Sequence, residues 1–99
     1  MDYKSKIEED LKGSLKQREA VRISVLRMLL AAIKNKEVEK IRSLSDDEFY
    51  SLVKTSINQH LDSIESFKKG QRPDLVEREE KELQILKEFL PEQLTEEEI

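Results

Sequence analysis

The sequence predicts an all-α protein, a compact four-helix domain arranged around a central apolar second helix. Three observations lead there. Only two glycines and two prolines interrupt 99 residues. Charged residues make up 40% and hydrophobic residues 36%, the blend of Ala, Glu, Lys, Leu and Arg that helices with wet outer faces carry. Apolar residues recur at helical spacing, and β-branched residues rarely alternate with polar ones, so a sheet has little to start from. The length suits one domain with a modest core.

The first helix is announced by Tyr3, Ile7, Leu11 and Leu15, which recur every four residues as one thin stripe. Asp2 is placed to cap its start. The second pattern runs from about Ala20 to Arg42. Val21, Ile23, Val25, Leu26, Met28, Leu29, Leu30, Ala32 and Ile33 cover more than half of the helical wheel. A helix that apolar is expected to be wrapped by its neighbours. One unbroken rod from residue 3 to 42 would be roughly 60 Å long, against a radius of gyration near ~13 Å for a domain of this size. A turn is therefore expected in the polar run Lys16-Gln17-Arg18-Glu19.

The third helix opens on Ser45-Asp46-Asp47-Glu48, a capping box with acids at the positive end of the helix dipole. Phe49, Leu52, Val53, Ile57, Leu61, Ile64 and Phe67 continue it. Gly70 is expected to end it in the left-handed conformation, and Pro73 disfavours helical geometry at Arg72. Asp74 with Glu77 is expected to cap a fourth helix carrying Leu75, Leu83, Leu86 and Leu90, stopped by Pro91. Thr95 and Glu98 form another capping box just before the last residue. A one-turn helix does not hold itself together. The domain is accordingly placed at residues 1–92, with 93–99 as linker and first turn of a truncated carboxy-terminal helical tail.

Charge is unevenly distributed. Residues 1–44 hold 11 basic and 7 acidic side chains, a balance of +4; residues 45–99 hold 7 and 15, a balance of −8. Attraction between the halves and a basic surface for an anionic partner both account for this. Arg27 and Lys34 share the outer sector of the second helix and, with Lys36 and Lys40, could track phosphates. There is no aromatic interleaving.

Catalytic constellations are missing from the sequence. Two glycines make no phosphate loop. A single histidine without cysteine leaves the usual zinc sites short of ligands, and serine nucleophiles lack an oriented base. Glu79, Glu80 and Glu82 read as solvated charge on an exposed face. No metal or cofactor is expected. His60 falls on the apolar face of the third helix, either as a satisfied core histidine or as a contact at a partner interface. Arg22 falls inside the apolar arc of the second helix, between Leu26, Leu29 and Ile33. There it needs a carboxylate, expected from an acid on the third or fourth helix such as Asp62 or Asp74; the alternative is an anion-binding arginine.

With no cysteine, a disulfide framework is excluded. The charged amino terminus has no apolar segment of the secretory kind, and the longest apolar run, Met28 to Ile33, is about a third of a membrane span. A soluble cytoplasmic protein with no membrane partner is expected.

The segments RISVLRMLLAAIKNKEVEK (22–40), LSDDEF (44–49) and DSIESFKKGQRPDLVEREEKELQILKEFLPEQLTEEEI (62–99) closely resemble the GatB/YqeY family. These YqeY-like proteins share a domain with the B subunit of tRNA-dependent amidotransferase. Two places differ from the family pattern: Asn58-Gln59-His60 replaces a more basic run, and Lys69-Gly70-Gln71-Arg72 replaces an A-G-R-like turn. The resemblance implies a helical domain followed by a three-helix tail, and association with tRNA or tRNA-charging machinery. The family label is carbon–nitrogen ligase with glutamine as amido donor, although the residues here supply no catalytic group. A protein-interaction or self-association domain is the competing expectation. Candidate contact or structural residues are Arg18, Arg22, Arg27, Lys34, His60, Asp62, Arg72 and Asp74.

Overall fold

Four helices and no strand occupy the described residues, 3–90, of the computed structural model. They are α1 (Tyr3–Gln17), α2 (Ala20–Lys40), α3 (Asp46–Lys69) and α4 (Pro73–Lys87). The all-α expectation holds. The chain divides into two units, with the boundary between Phe49 and Tyr50. The first holds α1, α2 and the opening turn of α3; the second holds the rest of α3 with α4. The Asp2 cap, the capping box of Thr95 with Glu98, and the expected 93–99 linker lie outside the described residues.

In the first unit α1 and α2 form a hairpin. The predicted α1 stripe is only half right. Tyr3 and Ile7 are buried, Leu11 is half-buried, and Leu15 is 46% exposed. A four-residue step advances about 40° round a helix, so Leu15 has turned about 120° away from Tyr3. Asp10 and Ser14 stay within about 20° of the Tyr3 line. Ser14 is buried. On α2 the buried side chains are Val25, Leu26, Leu29 and Ile33, and Met28 is exposed. Tyr3 stacks on Phe49 with ring centroids 4.0 Å apart, joining the start of α1 to the first turn of α3.

Ser45 and Glu48 make the predicted capping box in both directions: the Glu48 N–H donates to Ser45 Oγ at 3.2 Å, and the Ser45 N–H to Glu48 Oε1 at 2.9 Å. The same carboxylate takes both guanidinium nitrogens of Arg42 at 2.6 and 2.9 Å and Lys40 Nζ at 2.8 Å. Arg42, then Lys40 and the Ser45 N–H, hold the Glu48 carboxyl well below the usual range. One side chain thus clamps the whole α2–α3 loop.

The second unit is a hairpin turning about Gln71. Val53, Ile57, His60 and Ile64 are the buried positions of α3 in this unit, and Val76, Leu83 and Leu86 those of α4. Three predicted details change. Gly70 does not take the left-handed conformation; Gln71 does, with φ 57°. The Arg72 N–H reaches Phe67 O at 2.9 Å and the Gln71 N–H reaches Lys68 O at 3.2 Å, a Schellman closure. The N-cap of α4 is Arg72, without a side-chain cap, because Pro73 needs no N–H partner at the first position. Asp74 instead pairs with Arg72. Finally, α4 ends at Lys87, so Leu90 lies beyond the helix, and Phe89 is buried.

Closures of the same kind end α1 at Arg18 and α2 at Ile41, at φ 56° and 57°. None of the three left-handed positions is glycine.

Candidate functional site

Each unit carries one polar tie between its helices. In the first, Arg22 projects from the buried arc of α2 and meets Asp10 of α1. Nε donates to Oδ1 at 2.7 Å and Nη2 to Oδ2 at 2.5 Å, a two-pronged geometry only arginine provides. Ser14 Oγ lies 3.4 Å from Asp10 Oδ1. Arg22's hydrogen bonds hold the Asp10 carboxyl below its ordinary value against the opposing effect of burial. The arginine is paired as the wheel required, but to neither Asp62, which is exposed, nor Asp74, which belongs to Arg72. The acid comes from the adjacent helix because the azimuth that points Tyr3 inward also points Asp10 inward.

In the second unit, His60 of α3 meets Glu79 and Glu82 of α4. The ring is buried. Its Nδ1 lies 2.8 Å from Ser56 O; a carbonyl only accepts, so Nδ1 donates. Nε2 lies 3.0 Å from Glu82 Oε1 and 3.3 Å from Glu79 Oε2. Burial pushes the imidazolium down, but the Ser56 carbonyl and the two carboxylates outweigh it and raise the ring above its ordinary value. Arg78 Nε donates to the other oxygen of Glu82 at 3.1 Å. These three side chains form a group able to hold a metal ion.

Sequence reasoning passed over the two glutamates as solvated charge. Glu80 is exposed, but the Glu79 and Glu82 side chains keep only 21% and 15% exposure. A signal existed: on the α4 wheel Glu79 falls between Leu83 and Leu86, inside the buried arc. Counting ligands by His and Cys alone also left carboxylates out.

The remaining candidates are dispersed. Arg18 serves as the left-handed closing residue of α1, with its side chain exposed. Arg27 and Lys34 are exposed on α2. Lys36 and Lys40, grouped with them by sequence, are drawn to Glu39 at 3.6 Å and Glu48 at 2.8 Å. Lys4 Nζ meets Glu37 Oε1 at 2.8 Å, and the other Glu37 oxygen accepts the Leu44 N–H. Arg72 and Asp74 are exposed and bonded to each other at 3.1 and 3.3 Å. Among the described residues, no helix is long and apolar enough to cross a membrane.

Residues 4–99 match the family model described as Yqey-like protein, and the chain belongs to that family. It is 38% identical over 91 residues to the Altered inheritance of mitochondria protein 41, mitochondrial, of Lachancea thermotolerans, an alignment spanning 91% of this chain and 49% of that protein. The protein of the same name from Kluyveromyces lactis is 36% identical over 84 residues, covering 84% and 45%. That from Saccharomyces cerevisiae is 34% identical over 88 residues, covering 87% and 47%. The chain thus spans about half the length of these relatives. Their names place them in mitochondria, which overturns the cytoplasmic expectation. That expectation rested on a cysteine-free composition and a missing secretory segment, and neither distinguishes one reducing compartment from another.

Proposed function

We propose that this chain is a non-catalytic helical accessory module that binds tRNA through the outward face of α2. The observation carrying the reading is the fate of the cations in the first unit. Arg22, Lys4, Lys40 and Arg42 are taken up by Asp10, Glu37 and Glu48. Of the exposed cations outside these pairs, Lys6, Lys12, Lys16 and Arg18 lie on α1 and its turn, and Arg27 and Lys34 lie together on the outer face of α2. Seven residues apart on one face, they are separated by about 10 Å, enough to reach different phosphates. The sequence resemblance to the GatB/YqeY family, which includes the amidotransferase B subunit, supports the same direction.

The test is a fluorescence titration of uncharged tRNA with the chain at two salt concentrations. Binding is expected to weaken with salt, and Arg27→Glu with Lys34→Glu to weaken it by about tenfold or more while reducing the salt slope by about two charges. Salt-independent binding, or an unchanged slope in the double variant, removes this reading. A protein-interaction role is then favoured by Val38 and Ile41, which are 78% and 89% exposed at the end of α2. Concentration-dependent sedimentation lost in Val38→Ser would identify self-association.

A further inference from the structure

We propose that His60, Glu79 and Glu82 bind a divalent first-row transition-metal ion of the zinc class. The bonds would come from His60 Nε2 and one carboxylate oxygen of each glutamate. This goes beyond the tRNA reading and does not depend on it.

Three features of the geometry support the site. The first is polarity. Since Nδ1 donates to Ser56 O, the neutral ring presents a lone pair at Nε2, and it presents it to two acceptor-only carboxylates. In the imidazolium a proton on Nε2 answers these carboxylates; in the neutral ring three electron-pair donors converge on one point, where a metal ion would take that proton's place. The second is spacing. Tetrahedral zinc with bonds of about 2.0–2.1 Å separates its ligand atoms by about 3.3 Å. Here Nε2 lies 3.3 Å from the Glu79 oxygen and 3.0 Å from the Glu82 oxygen, and all three ligand atoms are within 4.8 Å of one another. Both distances from Nε2 are thus within a few tenths of an ångström of the tetrahedral spacing.

The third is the surrounding support. A metal-binding histidine commonly donates its second ring N–H to a backbone carbonyl, which fixes tautomer and orientation; Ser56 does this. Arg78 holds the Glu82 oxygen that faces away from the ring, leaving the other free to coordinate. The imidazole nitrogen favours zinc-like ions over magnesium or calcium, which prefer oxygen donors. Three protein ligands leave a fourth position for water or a partner's side chain.

His60 is the only histidine in the chain, so its ring signals in a proton–nitrogen or proton–carbon NMR spectrum are unambiguous. The experiment is a zinc chloride titration of the whole chain at pH 7.5, followed by those signals and by calorimetry. The expected result is a one-to-one end point with displaced ring signals, while magnesium chloride leaves them unmoved. Glu79→Gln and Glu82→Gln should each weaken zinc binding by at least the roughly 10–100-fold that losing a ligand's supporting partner costs, and Glu80→Gln, on the exposed face, should not. Ring signals unmoved by excess zinc overturn the proposal. So does Glu79→Gln binding zinc as the unaltered chain does while keeping its helical circular dichroism. Should that variant lose its helicity, the ring signals of the unaltered chain decide.

Discussion

The two units solve one problem with opposite outcomes. Each brings a charged or titratable side chain inside a helical hairpin, and each supplies carboxylate from the other helix. In the first, one guanidinium meets one carboxylate with both prongs engaged. Charge and hydrogen bonds are matched. In the second, one imidazole meets two carboxylates, one of them shared with Arg78. With the ring neutral, carboxylate is in excess at Nε2. A balanced pair has little further affinity for anything, whereas an excess of donors around one point favours an added cation. Arg22–Asp10 therefore reads as structure and His60–Glu79–Glu82 as a site.

Removing Arg22 offers the largest test of that contrast. Arg22→Ala strands a partly buried Asp10. The expected cost lies between an exposed and a buried pair, at about 2 kcal/mol, or about 10 °C in melting temperature. Arg22→Lys keeps the charge but loses the fork, and should recover only part of it. A melting temperature unchanged within a degree or two would break the comparison.

The helix ends sharpen it from another side, because both units use a left-handed residue other than glycine. Ile41 is β-branched, exposed and at φ 57°, the residue class least suited to that region. Ile41→Gly should stabilise by about 1 kcal/mol in thermal melts. Gln71→Gly, without β-branching, should gain less. Equal gains would mean that side-chain shape at the closure is irrelevant.

Smaller effects are expected from the carboxylates of the second unit in metal-free buffer. Glu82→Gln loses partners on both oxygens and should cost up to about 1 kcal/mol; Glu79→Gln should cost less. The reverse order in urea midpoints would move the weight of the site to Glu79.

The smallest test is a pH profile. Arg22 lowers the Asp10 carboxyl in the folded chain, so the pair's stabilisation is present above the ordinary carboxylate range near ~4. It is lost as the pH falls through the lowered folded value. Asp10→Asn should flatten that part of the acid limb of melting temperature against pH, and an unaltered limb would assign acid sensitivity to other carboxylates such as Glu48.

Local signals carried most of the fold. The Ser45–Glu48 box, the polar turn at Arg18-Glu19 and the apolar spacing of α2 and α3 each depend on residues within a turn or two of one another. Their physics is complete in a short stretch of chain. The same wheel placed Arg22 and His60 on inward faces. It failed where a stripe was followed too literally: Leu15 rotates off α1, and Glu79 was set aside for its charge although its azimuth lies between Leu83 and Leu86.

Sequence alone thus determined four helices, the positions of most of their ends, and the inward faces of α2 and α3, because periodicity and capping are short-range. It also determined that Arg22 requires an acid. That the acid is Asp10, that Glu48 gathers Lys40 and Arg42, and that His60 meets Glu79 and Glu82 were decided by tertiary structure. Such contacts depend on the rotation and register of one helix against another, and those are set by how whole side-chain faces pack.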